Sequence, residues 1–106
     1  MKLVLFLFLT VASGEFGKVS FLTSPTDTTV LVNGELKLNC KFSNSLFTTQ
    51  WQRNDQPIPS QTGPVLLINR ALTEHSGKYN CRALDGNGEF GIVSSSALVE
   101  VIGELE

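Results

Sequence analysis

The sequence predicts an all-β fold, a sandwich of two antiparallel sheets. Apolar and polar residues alternate with a period of two in several short segments, turn residues separate these segments, and helical periodicity is absent. Cys40 and Cys81 fall on the apolar faces of two different segments, so both are predicted to point inward. One open sheet would give these inward cysteines no partner, whereas two sheets packed face to face bring them together.

The first predicted strands surround Cys40. Residues 28–32 are predicted to form a short edge strand, and Pro25 before them suits an edge or a kink because proline cannot donate to a ladder. Asn33-Gly34 is a turn dipeptide. The alternation over residues 35–42 then places four residues on one inward face: Leu36, Leu38, Cys40 and Phe42.

Trp51 lies on the next strand, predicted over residues 47–53. Successive side chains of a strand point to opposite faces, so Phe47, Thr49 and Trp51 are predicted to face inward. Gln50 and Gln52 are predicted to face outward. The dipeptide after this strand is a turn. A proline-rich stretch follows and leaves room for only one short strand, near Ile58, before a further strand that contains Leu66 and Ile68.

The last two strands surround a turn-rich hairpin. In the segment from Gly77 to Leu84, the odd-numbered Tyr79, Cys81 and Ala83 face inward, opposite the even-numbered Lys78, Asn80 and Arg82. Four turn-forming residues occupy 85–88. The final strand is predicted over residues 90–101.

The start of the chain has the composition of a secretory signal peptide. A short positive start at Met1 and Lys2 precedes a continuous apolar run from Leu3 to Leu9, and small residues follow at 12–14. The run is too short to cross a bilayer, which needs about 20 residues. We therefore predict that the chain is secreted or lies on the extracellular side of the plasma membrane.

The remaining length suits one small domain. We predict a signal peptide at residues 1–14, one domain at 18–102, and a tail or cloning remnant at 103–106. Cysteines usually pair in an oxidising compartment, so Cys40 and Cys81 are predicted to form a disulfide. Two distant cysteines and a single histidine are too few ligands for a zinc site.

Composition and motifs disfavour several classes of function. The 106-residue chain has a formal net charge of −2, too mild to predict a nucleic-acid partner, and no later stretch is suited to direct membrane insertion. It contains no G-x-S-x-G, H-E-x-x-H or phosphate-cradling loop, so we predict no enzyme activity, catalytic residue, cofactor or metal. No N-x-[ST] sequon occurs, and no N-linked glycan is expected.

The spacing of four residues resembles that of the immunoglobulin superfamily. These are Cys40, Trp51 and Cys81, with Tyr79 two residues before the second cysteine. The resemblance covers residues 25–101 and implies a Greek-key sandwich with an inter-sheet disulfide. The stretch between the Trp51 turn and the next core strand is too short for the two extra strands of variable-type domains. The chain therefore resembles the intermediate-set or constant-2-like domains.

The resemblance implies structural roles for the aromatic residues. Trp51 packs on the disulfide, and the Tyr79 hydroxyl bonds to the backbone around residues 72–74. His75 departs from the family, which most often has an aspartate that caps this turn, but a neutral histidine can still accept a hydrogen bond. The final hairpin is a few residues longer than is usual in the family, which predicts a protruding loop or a bulge.

The resemblance also implies that function lies in loops and on one exposed sheet face. Phe90 is either an aromatic anchor near the loop tip or an inward residue that begins the last strand, and both alternatives remain open. The candidate partner-binding residues are four polar positions on the predicted face and four in the final hairpin: Gln50, Gln52, Asn80, Arg82, Asp85, Asn87, Glu89 and Phe90.

Three functions fit these expectations. The first is an extracellular protein-binding immunoglobulin module in cell-surface recognition, adhesion or immune receptor signalling, with a homophilic or heterophilic protein partner. The second is a secreted single-domain immune factor or decoy. The third is a structural immunoglobulin repeat of the muscle-filament type, and the predicted signal peptide argues against it.

Overall fold

The computed structural model describes residues 19–88 and 90–103, with Phe90 described in its backbone only. The predicted signal peptide, Glu89 and most of the predicted tail lie outside these residues. The described residues form ten strands and one 3-10 turn, Thr73–His75. In chain order the strands are β1 Phe21–Thr23, β2 Thr28–Leu31, β3 Leu36–Asn39, β4 Lys41–Phe42, β5 Thr48–Arg53, β6 Gln56–Pro57, β7 Val65–Ile68, β8 Gly77–Leu84, β9 Phe90–Val93 and β10 Ala97–Ile102.

The strands form two layers, as the alternation predicts. In the first layer β1 pairs with β4 and β3 pairs with β7, and these two ladders are continuous because only Cys40 separates β3 from β4. The second layer has the order β2-β10-β8-β5-β6, with β9 also paired to β8. The architecture is an antiparallel sandwich with one exception, since β2 runs parallel to β10.

The chain changes layers between β1 and β2. Pro25 is buried in this connection, and the backbone N–H of Leu98 donates to Oδ1 of Asp27 at 2.8 Å, which ties the connection to β10. The position of β2 at the edge of the second layer confirms the edge strand predicted from the sequence. Its parallel partner was not predicted, because the alternation within a strand carries no information about the direction of its neighbour.

The core lies around the disulfide between Cys40 and Cys81, whose Cα atoms are 6.6 Å apart. The bond joins residues 41 positions apart. Because it restricts the unfolded chain, it contributes about 4 kcal/mol to the free energy of unfolding in the chain-entropy account. Trp51 is fully buried beside it, and its indole Nε1–H donates to the carbonyl of Gly63 at 2.9 Å. The other buried apolar residues are Leu36, Leu38, Leu66, Ala71, Tyr79, Ala83, Ala97, Val99 and Val101.

The predicted final strand is divided in two. Ser94 interrupts it because its side chain is buried and bonds to backbone groups: Oγ accepts from the N–H of Cys81 on the facing β8 at 2.9 Å and donates to the carbonyl of the next residue, Ser95, at 2.8 Å. A side chain that takes the place of a ladder acceptor ends the regular pairing of β9 before β10 begins.

Candidate partner-binding face

The β5–β8 ladder brings the four predicted polar residues of the sheet onto one surface. Its register sets Gln50 opposite Arg82 and Gln52 opposite Asn80, on the side of the strands away from the disulfide. This surface is the outer face of the second layer. The sequence therefore predicted correctly which side chains lie together.

The exposure predicted for two of these residues is wrong. Gln52 is 5% exposed and Asn80 6% exposed, while Gln50 and Arg82 are half-buried. The physical reason is their place on inner strands, where side chains of neighbouring strands surround a short amide on the outer face. Parity predicts the direction of a side chain but not how far its neighbours cover it.

The amides on this face have different partners. Gln50 Nε2 donates to the carbonyls of Trp51 at 2.9 Å and Ile58 at 3.0 Å, which holds this side chain over the edge between β5 and β6. Asn80 Oδ1 is buried and has no hydrogen-bond partner among the described residues. A buried acceptor without a donor costs about 1–3 kcal/mol, so Asn80 places an unsatisfied oxygen on this face.

The hairpin between β8 and β9 is a tight turn with a bulge. Asp85 Oδ1 accepts from the N–H of Asn87 at 2.9 Å, and the N–H of Gly88 donates to the Asp85 carbonyl at 3.0 Å. Asn87 is exposed and Asp85 is half-buried. The register of β8 and β9 shifts by one residue beyond this turn, which confirms the bulge predicted from the extra length. Glu89 and the side chain of Phe90 lie outside the description, so the role of Phe90 stays open.

An apolar row on the same face was missed from the sequence. Leu98 is 61% exposed and Ile102 is 38% exposed on β10. Leu31 of β2, which is 59% exposed, lies beside Ile102, and Val93 of β9 lies beside Arg82. Only the inward residues of this strand, Ala97, Val99 and Val101, were used in the prediction from the sequence. Its three outward residues are Leu98, Glu100 and Ile102, and two of these three are apolar, so the sequence did contain a signal for the row.

Two side chains of the second layer hold the turn before β8 in place. Tyr79 Oη donates to the carbonyl of His75 at 2.5 Å, so the predicted bond to the corner exists, but its acceptor lies one residue beyond the predicted range 72–74. Arg53 Nη2 donates to the carbonyls of Glu74 at 2.7 Å and Ser76 at 2.8 Å. Burial raises the pKa of Tyr79, and the Arg53 charge opposes this rise.

Within 19–88 and 90–103, no group of three or more His, Cys, Asp or Glu side chains could hold a metal ion. The same part of the chain contains no helix of the length and hydropathy that a bilayer crossing requires.

A profile of the family described as Immunoglobulin domain matches residues 20–101, which is most of the chain. The chain belongs to this family. Solved immunoglobulin domains also superpose on this structure. The tandem immunoglobulin repeats of Dlar superpose with a TM-score of 0.73 at 18% identity, over 84% of this chain and 50% of that one. Duf (Kirre) superposes with a TM-score of 0.69 at 22% identity, over 83% of this chain and 100% of that one.

Two curated relatives have a higher sequence identity to this chain than these structures do. Peroxidasin of Drosophila melanogaster is 32% identical over 80 residues, or 67% of this chain, and vascular endothelial growth factor receptor 3 of Danio rerio is 34% identical over 88 residues, or 76% of this chain. The match spans only 5% and 6% of the length of those proteins. The similarity to peroxidasin is therefore a similarity of immunoglobulin domains, and the chain is an immunoglobulin domain related to one of a growth factor receptor.

Proposed function

We propose that the chain is an extracellular protein-binding module in cell-surface recognition, adhesion or immune receptor signalling, and that it binds its partner through the outer face of the second layer. The observation that carries the proposal is the apolar row of Val93, Leu98, Ile102 and Leu31 beside the polar pairs of β5 and β8. In a lone domain such a row stays in contact with water.

The distribution of side chains on this face suits a protein partner. Protein interfaces combine an apolar centre with a polar rim. Leu98 supplies an exposed apolar centre, and Lys78 lies opposite it on β8. Glu100 lies between Leu98 and Ile102 on the same face, so charges of both signs are next to these apolar side chains.

Asn80 adds a polar contact to the proposed interface. Its Oδ1 has no hydrogen-bond partner among the described residues, and it lies between the apolar row and the polar side chains of β5. A donor from a partner that displaces the covering side chains would satisfy this oxygen and recover part of its desolvation cost. A partner with an N–H or O–H donor next to its apolar contact fits this position.

The extracellular setting is part of the same proposal. The similarity to a domain of a growth factor receptor and the disulfide between Cys40 and Cys81 support an oxidising compartment. We propose accordingly that residues 1–14 are a signal peptide, that 18–102 form the domain, and that the domain is of the intermediate or constant-2 set.

The test is a binding screen with the domain in multivalent form. The purified domain, tetramerised on a carrier, is applied to a panel of cell-surface ectodomains that includes the domain itself. Saturable binding to a panel member, competed by the monomeric domain, supports the proposal and distinguishes homophilic from heterophilic contact. Binding that a charge-reversing Arg82→Glu change leaves intact would contradict the assignment of the face.

A further inference from the structure

We propose that the outer edge of β7 pairs with β7 of a second copy of this chain, which joins the first layers of two domains into one continuous sheet. This surface is separate from the outer face of the second layer. Within the described part of the chain, β7 pairs with β3 alone, and the connection from β6 to β7 contains no strand that covers its other side.

The backbone of β7 directs hydrogen-bonding groups outward. The N–H of Cys40 donates to the carbonyl of Pro64 at 2.8 Å, so this pair of residues is a hydrogen-bonded pair of the ladder. Such pairs alternate along antiparallel strands. In the observed register the next ones are Leu38 with Leu66 and Leu36 with Ile68. It follows that Val65 and Leu67 point their N–H and C=O groups away from β3, toward the outer edge.

The side chains of the same two residues are apolar and partly exposed. Val65 is 39% exposed and Leu67 is 43% exposed, while Leu66 between them is buried in the core. The strand contains no charged residue, proline or bulge, which are the devices that usually protect a sheet edge. By contrast, β6 has two residues and ends at Pro57, and β1 has an irregular register.

A second copy fits this edge because the edge is complementary to itself. A two-fold axis through Leu66 sets Val65 of one copy opposite Leu67 of the other, in antiparallel orientation. Val65 and Leu67 of each copy then form hydrogen-bonded pairs with Leu67 and Val65 of the other copy. The N–H and C=O groups that these residues direct to the edge all gain partners. The two valines and two leucines also cover each other on the outer face of the combined sheet.

The charges near this edge do not oppose the arrangement. Lys37 lies beside Leu67 on β3, and Asn39 lies beside Val65. Across the joined sheet, Lys37 of one copy shares a row with Asn39 of the other, so no two like charges stand opposite each other. Since the contact uses the first layer, the outer faces of the two second layers stay available.

The experiment is sedimentation velocity over a range of concentrations, with the purified chain and four variants. We expect the chain to form a concentration-dependent dimer and Leu67→Pro to remain a monomer. Proline at this position removes an outward N–H without breaking a bond to β3, so the variant should keep its fold, which Trp51 fluorescence monitors. Leu67→Lys should have the same effect and keeps the backbone unchanged.

Leu22→Lys is the matched control, since Leu22 is 62% exposed in the same layer but away from the β7 edge. It should dimerise like the unmodified chain. A chain that is monomeric at every concentration overturns the proposal, as does a dimer that both Leu67 variants retain. A dimer that Leu98→Glu dissolves instead also overturns it and supports homophilic contact through the second layer, so failure here leaves the proposed function standing.

Discussion

The backbone N–H of Leu72 donates a hydrogen bond to Nδ1 of His75 over 2.8 Å, and this bond closes the 3-10 turn before β8. The turn therefore has a cap although it lacks the aspartate that the family most often places there. His75→Ala should lower the free energy of unfolding by about 0.5–2 kcal/mol, the usual cost of losing a cap. Urea denaturation followed by the fluorescence of Trp51, the sole tryptophan, measures this change.

His75→Asp is the matched control for that prediction. A carboxylate oxygen can accept the same backbone N–H, as in a capping box, so this variant should keep most of the stability lost in His75→Ala. The carbonyl of His75, which accepts from Tyr79 Oη, is present in both variants. Equal destabilisation by alanine and aspartate would show that the imidazole acts through packing and not as an acceptor.

The raised pKa of Tyr79 predicts a loss of stability in alkali. Burial raises this pKa above its ordinary value of 10.0, with Arg53 acting in the opposite direction. As the pH rises, the unfolded chain therefore releases the phenolic proton before the folded one does. The folded state holds this proton more tightly, which stabilises it relative to the unfolded state. This stabilisation is fully present below pH 10.0 and is lost as the pH rises through the raised pKa of folded Tyr79.

Tyr79 is the sole tyrosine, so ultraviolet absorbance of the phenolate titrates it directly. Tyr79→Phe should lower the free energy of unfolding by about 0.5–1.5 kcal/mol at neutral pH, because it removes the bond to His75. Its stability should then fall less than that of the unmodified chain above pH 10.0. Parallel losses of stability in the two proteins would contradict the assigned shift.

Gly91 should be intolerant of any side chain. Gly91 lies in the bulged part of β9, and a Cβ at this position would lie 2.7 Å from the carbonyl oxygen of Ala83 and 3.2 Å from the ring of Phe47. Gly91→Ala should cost about 1–3 kcal/mol as an overpacking change. Gly86→Ala in the adjacent turn meets nothing within 4 Å and should be nearly neutral. Thermal melts of both variants test the difference.

The features predicted well from the sequence depend on local pattern. The alternation around Cys40 and Cys81 and the spacing of Trp51 between them specify two layers, because only a sandwich buries all three. The turn at Asn54-Asp55 is also predicted by local chemistry: both residues adopt positive φ, which Asn and Asp tolerate better than most residues. These predictions need no knowledge of which strands become neighbours.

The features that were missed or misjudged depend on neighbours in space. Gln52 and Asn80 face the predicted side, but their burial is set by side chains of adjacent strands. The parallel pairing of β2 with β10 places Leu31 beside Ile102, and no pattern within either segment shows this contact. Only the β10 part of the apolar row could be predicted from the sequence, because Leu98 and Ile102 alternate there with core residues.

The most direct test of the proposed binding face compares two leucines of nearly equal exposure on opposite layers. Leu98 is 61% exposed in the second layer, and Leu22 is 62% exposed in the first. Each is changed to glutamate, and the affinity for the partner found in the ectodomain screen is measured by surface plasmon resonance. We predict that Leu98→Glu weakens binding by at least about tenfold, as expected for an interface position worth more than about 1.4 kcal/mol, while Leu22→Glu leaves it unchanged. Unchanged binding by Leu98→Glu, or an equal loss in both variants, would contradict the assignment of the partner to the second layer.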